Sequence, residues 1–108
     1  MIDLETRQAV YRRAIETFGE DAQLWIVIEE MSELAKEICK FQRGKRSPVD
    51  IADEIADVEI MLEQATMLFG VDDLVIAHKD AKIERLRERV RQNMSNRGRQ
   101  RNECAYSL

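Results

Sequence analysis

Apolar residues recur along most of the chain at alternating steps of three and four, the spacing that places side chains on one face of an α-helix. Glycines and residues that favour helix starts divide this pattern into four segments. The predicted helices run from about Asp3 to Phe18, from an N-cap at Asp21 to about Gln42, from Pro48 to Phe69, and from an N-cap at Asp72 to about Arg91. The pattern therefore predicts an all-α protein.

Two of the predicted helices carry a continuous apolar stripe. In the second helix the stripe consists of Leu24, Ile28, Met31, Ala35 and Ile38. In the third helix it consists of Ile51, Ile55, Val58, Leu62, Ala65 and Phe69. The matching spacing of the two stripes predicts that these helices bury them against each other in antiparallel packing, as in a small bundle.

Apolar residues outside these stripes exceed what one subunit can cover. They are Trp25, Val27, Leu34, Met61, Met67 and Leu68. Because exposed apolar surface of this extent is typical of interfaces, we expect a homodimer or a homotetramer, with the dimer favoured. The predicted fold is an all-α four-helix bundle that is completed by homo-oligomerisation.

Length and composition agree with one small helical domain. The 108 residues include one proline and four glycines, and 35% of them are charged, which favours helices. We assign residues 1–93 to this domain. Residues 94–108 are polar and without periodicity, so we expect them to form a mobile C-terminal tail.

Charge and cysteine content argue against several classes of protein. The net charge of −4 argues against stable nucleic-acid binding, although the C-terminal third is locally basic. No apolar run approaches the roughly 18 residues of a membrane span, and the N-terminus has no hydrophobic signal region. Cys39 and Cys104 are predicted to be free thiols. These features predict a cytoplasmic protein that does not bind membranes.

Four carboxylates form the candidate site. Glu30 and Glu33 lie three residues apart in the second helix, and Glu54 and Asp57 have the same spacing in the third. Residues at this spacing share one face of a helix, here at the edge of the apolar stripe. A hard divalent cation such as Mg²⁺ would stabilise such a cluster. The alternative is a solvated acidic face, in which Lys36 pairs with Glu33.

A resemblance to a known family rests on the segments EEMSELAKEI and DEIADVEIMLEQ, which are joined by a short basic linker. They resemble the MazG-like family of all-α nucleoside triphosphate pyrophosphohydrolases, which is marked by ExxE, a variable spacer and ExxD. The two motifs match Glu30–Glu33 and Glu54–Asp57. The segments GEDAQLWIVIEEMSEL and KIERLRERV are also similar, so the resemblance covers about Gly19 to Val90.

The resemblance implies a metal-dependent hydrolase. Its metal-binding and catalytic residues are Glu30, Glu33, Glu54 and Asp57, with Mg²⁺ as the cofactor and Mn²⁺ as an alternative. It implies that an NTP or dNTP becomes the monophosphate plus pyrophosphate, as in nucleotide-pool house-cleaning, and phosphoribosyl-ATP is a minor option as substrate. The base, the sugar and the general base stay open. A non-catalytic helical dimerisation or regulatory module is the alternative from another class.

Substrate binding is predicted for four further residues. Lys82, Arg85 and Arg89 recur along the fourth helix, where they can meet phosphate oxygens or form a solvated cationic helix end. Trp25 can stack on a base, or it can belong to the core or an interface. A basic cluster near the end of the second helix can attract an anionic substrate. This cluster consists of Lys40, Arg43, Lys45 and Arg46.

Overall fold

The computed structural model describes residues 1–45 and 47–96, and this part of the chain contains four α-helices and no strand. The helices are α1 (Leu4–Phe18), α2 (Glu20–Gln42), α3 (Pro48–Phe69) and α4 (Asp72–Ser95). The all-α prediction is confirmed. The chain divides into one compact unit that spans Met1–Gly70 and a second that begins at Val71. Within the described residues, no helix has the length and apolar character that crossing a membrane requires.

Local side-chain chemistry explains where several helices begin and end. The Asp3 carboxylate accepts a hydrogen bond from the Thr6 N–H at 2.8 Å, so it caps the start of α1. Ser47 starts α3, where its backbone N–H and hydroxyl donate to Asp50 Oδ2 at 3.2 and 3.1 Å. Gly70 ends α3 in the left-handed conformation, at φ 63°, which glycine adopts without steric cost.

Three predicted helix boundaries differ from the structure. Asp21 lies inside the first turn of α2, because Gly19 occupies the cap position. Val71, rather than Asp72, precedes the first residue of α4. The same helix continues to Ser95, so the predicted polar tail begins inside a helix. The rest of that tail, residues 97–108, lies outside the described residues.

The first unit is built around a hairpin of α2 and α3, with α1 in contact with both helices. The hairpin is antiparallel, because residues early in α2 contact residues late in α3. A small set of buried side chains forms its core. The set consists of Tyr11, Gln23, Val58, Met61 and Gln64. We refer to the contact between α2 and α3 as the hairpin seam.

The buried face of α2 and α3 coincides only in part with the predicted stripes. Most of the predicted stripe residues are exposed, including Ile28, which is 55% exposed, and Leu62. Met61, which was expected to need cover from another subunit, is only 6% exposed and lies in the core. The reason is that each helix carries a second apolar row beside its stripe. These minor rows, which are Val27 and Leu34 on α2 and Met61 and Leu68 on α3, are buried or half-buried. Val58 is a buried member of the α3 stripe, whereas the exposed stripe residues, such as Ile28 and Leu62, form what we call the outward stripes.

An open apolar groove of about 380 Å³ lies along these outward stripes, near the connection between α2 and α3. It is lined by Ile38, Phe41, Pro48, Ile51, Ala52 and Ile55. Residues of the α2 stripe and of the α3 stripe thus line one groove, and a single chain leaves this groove exposed to water. Contiguous apolar surface of this kind is typical of an interface.

Candidate metal centre

Three of the four predicted carboxylates converge in the hairpin seam. One carboxylate oxygen from each of Glu30, Glu54 and Asp57 lies within 4.8 Å of the other two. Glu54 and Asp57 project from one face of α3 because they are three residues apart, and antiparallel packing places Glu30 of α2 opposite them. All three side chains are half-buried. We call this group the acidic cluster.

Glu33 is the predicted ligand that the structure does not place in this group. Its Oε1 lies 3.2 Å from the Lys36 Nζ on the following turn of α2. The pair is substantially exposed, so it contributes little to stability. Glu33 is nevertheless close enough for its charge to raise the pKa of Glu30. It therefore adds to the negative potential of the cluster without sharing its centre.

The environment of the acidic cluster disfavours the ionised carboxylates. Loss of solvent is the largest cause that raises the pKa of Glu30, followed by the charge of Asp57. Loss of solvent also comes first for the raised pKa of Glu54, again followed by Asp57 and then by Asp53. The folded protein thus holds like charges together in a region where water screens them incompletely.

One oxygen of the cluster has an unmet requirement that a cation would satisfy. Glu54 Oε2 is buried, and no donor among residues 1–45 and 47–96 forms a hydrogen bond with it. A buried carboxylate oxygen normally has a hydrogen-bond partner or binds a metal. The donor set consists of carboxylate oxygens alone, which suits hard cations such as Mg²⁺ and Mn²⁺. The residues present therefore fit a divalent metal ion.

Two acids outside the ExxE and ExxD motifs also act on the cluster. The charge of Glu29 raises the pKa of Glu30, and the charge of Asp53 raises the pKa of both Glu30 and Glu54. Each of the two is adjacent in sequence to a cluster residue, which is the signal that identifies it. Glu37, one turn beyond Glu33, lies 3.6 Å from the Lys40 Nζ.

The other predicted site residues lie at several places. Lys82, Arg85 and Arg89 are on α4 in the second unit; Lys82 is half-buried and the other two are exposed. Trp25 is 68% exposed on α2 and is not part of the core.

The basic cluster includes Lys40, which pairs with Glu37, and the exposed residues Arg43 and Lys45. Its fourth member, Arg46, lies outside the described residues, as does Cys104. Cys39 is an exposed free thiol. The structure thus groups three acids of the predicted site, while its basic and aromatic members remain predictions.

No protein-family model, curated protein or solved structure matched this chain.

Proposed function

We propose that this chain is a Mg²⁺-dependent nucleoside triphosphate pyrophosphohydrolase that converts an NTP or dNTP to the monophosphate and pyrophosphate. Two observations carry the proposal together. Glu30, Glu54 and Asp57 converge, and Glu54 Oε2 is buried without a hydrogen bond from the described residues. The MazG-like order of the acids, ExxE then ExxD, supports the same activity. Nucleotide-pool house-cleaning in the cytoplasm is the biological role proposed with it.

The proposed roles of the acids follow from their positions. Glu30, Glu54 and Asp57 are the residues that would hold the cation, and Glu33 can join them if Lys36 releases it. A bound Mg²⁺ would screen the charge of the triphosphate, orient it and lower the pKa of the attacking water. The acidic cluster is thus assigned to cation binding and, through the cation, to the phosphates.

The hydrolysis also needs a base. The water oxygen bonds to phosphorus while the anhydride bond between the α- and β-phosphates breaks, and one water proton is released. A carboxylate that is not fully engaged by the cation can accept this proton. The candidates for this role are the four motif acids, Glu30, Glu33, Glu54 and Asp57.

The proposed active form is a homodimer or a homotetramer. The outward stripes of α2 and α3 expose residues such as Ile28 and Leu62, and the apolar groove lies along them. Burial of this surface by a second copy would stabilise the assembly. A dimer would then contain two copies of the acidic cluster.

Pyrophosphate release from a panel of standard and modified NTPs and dNTPs, with and without Mg²⁺, tests the proposal. Asp57→Asn and Glu54→Gln should each remove most of the activity, with helicity retained. Glu59→Gln is the matched control, because Glu59 is an exposed acid of the same helix outside the cluster. If the folded parent protein releases no pyrophosphate from any substrate, the dimerisation or regulatory module is the better hypothesis.

A further inference from the structure

Two glutamine side chains are buried against each other in the hairpin seam. Gln23 Nε2 on α2 donates a hydrogen bond of 2.7 Å to Gln64 Oε1 on α3. The two residues are only 4% and 5% exposed. Gln23 Oε1 is also buried, and no donor in the described ranges bonds to it. Because an unmet buried acceptor is unfavourable, the pair costs stability that an apolar pair of similar shape would not.

The glutamine pair and the acidic cluster lie on the same faces of the same two helices. Gln23 precedes Glu30 by seven residues in α2, and Gln64 follows Asp57 by seven residues in α3. Seven residues make nearly two helical turns, so the pair lies about 10 Å along the seam from the cluster. The covalent connection between Gln42 and Pro48 is at the opposite end of the hairpin. The acidic cluster therefore lies between the glutamine pair at one end of the hairpin and the covalent connection at the other.

The side chains between the glutamine pair and the acidic cluster restrict the alignment of the two helices less than the amide hydrogen bond does. Val27 and Met61 are apolar residues on these faces, and apolar contacts are not directional. A methionine also adapts readily to a shifted neighbour. The amide hydrogen bond, in contrast, requires a short distance and a narrow range of angles. A single buried asparagine fixes the register of some coiled coils in this way.

We propose that the hydrogen bond between Gln23 and Gln64 sets the register of α2 against α3 and so holds Glu30 opposite Glu54 and Asp57. Both glutamines are positioning residues, which act on the acidic cluster through the two helices. The consequence for metal binding rests on the proposed function, whereas the consequence for the register does not.

The double substitution Gln23→Leu with Gln64→Leu separates positioning from stability. It removes both amides together and fills the space with apolar groups, so the melting temperature should equal or exceed that of the parent. Mn²⁺ affinity, measured on the full chain by electron paramagnetic resonance, should fall by about tenfold, the lower end for residues that orient metal ligands. Met61→Leu is the matched control, since it alters packing between pair and cluster without removing an amide. Unchanged Mn²⁺ affinity in the folded double variant would overturn the proposal.

A second measurement needs no metal. Spin labels are attached through Ser32→Cys on α2 and Glu59→Cys on α3, both exposed positions, after Cys39→Ser and Cys104→Ser. Dilution with unlabelled parent protein removes distances between subunits. A one-turn slip of one helix displaces its label by about 5.4 Å, so the double variant should show a shifted or broadened distance distribution. A distribution identical to the parent's would overturn the register role.

The two measurements also keep this inference distinct from the proposed function. If the parent protein binds no Mn²⁺, the metal proposal fails, and the label distances still decide whether the glutamines set the register. If the double leucine variant does not fold, Gln64→Asn takes its place, because it shortens the side chain while keeping an amide. This variant should also bind Mn²⁺ more weakly and show a changed distance distribution between the labels. If both quantities equal those of the parent, the proposal is contradicted.

Discussion

Arg7 on α1 and Glu63 on α3 form an ion pair with two hydrogen bonds, in which Nε lies 3.1 Å from Oε1 and Nη2 lies 3.2 Å from Oε2. The Tyr11 hydroxyl donates a further hydrogen bond to Glu63 Oε1. These bonds favour the ionised carboxylate and therefore lower the pKa of Glu63. The hydrogen bond from Tyr11 has the largest effect, and those from Arg7 come next. They tie α1 to the hairpin beside the buried Tyr11 ring.

Glu63→Gln is expected to destabilise the fold at neutral pH and to weaken its dependence on pH. A lowered carboxyl pKa stabilises the folded state above the ordinary glutamate pKa, and this stabilisation is lost as pH falls through the lowered pKa. Tyr11→Phe, which removes one bond, should lower the free energy of unfolding by about 1 kcal/mol. Thermal melting from about pH 7 to about pH 3 measures both effects. A Glu63→Gln protein that melts like the parent at every pH would contradict the role of this pair.

Glu54→Gln is expected to make the metal-free protein more stable while removing most of its activity. The raised pKa of Glu54 means that the folded state disfavours its charge, mainly through loss of solvent and then through Asp57. Stability is therefore present at low pH and falls as pH rises through the raised pKa. The neutral amide avoids that loss, so its melting temperature in chelator at neutral pH should exceed the parent's. A lower melting temperature, with Glu59→Gln unchanged, would mean that the carboxylate has a stabilising partner.

Addition of Mg²⁺ is expected to raise the melting temperature of the parent protein. A ligand that binds only the folded state stabilises it by about 2.7 kcal/mol at a hundredfold excess over its Kd. Asp57→Asn should lose most of this response, because it removes one of the three convergent carboxylates. Calorimetric titration with Mg²⁺ gives the Kd for both proteins. Equal responses in the parent and in Asp57→Asn would place the metal elsewhere.

The basic residues of α4 are predicted to bind the triphosphate rather than the base. Lys82→Ala and Arg85→Ala should therefore weaken the binding of all NTPs by similar factors, as measured by KM across the substrate panel. Arg87→Ala is the control, because Arg87 is an exposed cation of the same helix outside the predicted phosphate-binding set. An effect restricted to one base would contradict a phosphate role, and no effect at all would support a solvated cationic helix.

Self-association is predicted to depend on the outward stripes of α2 and α3. Leu62→Glu places a charge in an exposed apolar stripe, so it should shift the protein from dimer toward monomer at micromolar concentration. Val49→Glu is the control, since Val49 is an exposed apolar residue on another face of α3. Light scattering distinguishes the two variants. A stable and active parent monomer would exclude the interface.

The boundaries of the helices could be read from the chain because they depend on neighbouring residues. Ser47 and Pro48 predict the start of α3, and Gly70 predicts its end, through capping and backbone preferences that act within one turn. The boundaries that shifted, at Asp21 and Asp72, are acids close to a helix start. Such residues suit both the cap and the first turn, so propensity alone does not distinguish the two positions.

The acidic cluster was predictable for a related reason. The three-residue spacing of Glu54 and Asp57 places both on one face of any helix, whatever packs against it. The spacing of the acids does not predict that Glu33 pairs with Lys36. A side chain at this position can turn either to a neighbour on its own helix or to the seam. That choice depends on the local geometry of both helices.

The sequence by itself thus determined four helices and two pairs of acids on consecutive helices. It did not determine which face of α2 meets which face of α3, because each helix has two apolar rows and periodicity treats them alike. Packing in the tertiary structure buries Met61 of a minor row and Val58 of the α3 stripe, and it leaves Ile28 exposed. The same packing places Gln23 against Gln64. These residues are 41 positions apart in the sequence, and no local pattern predicts their contact.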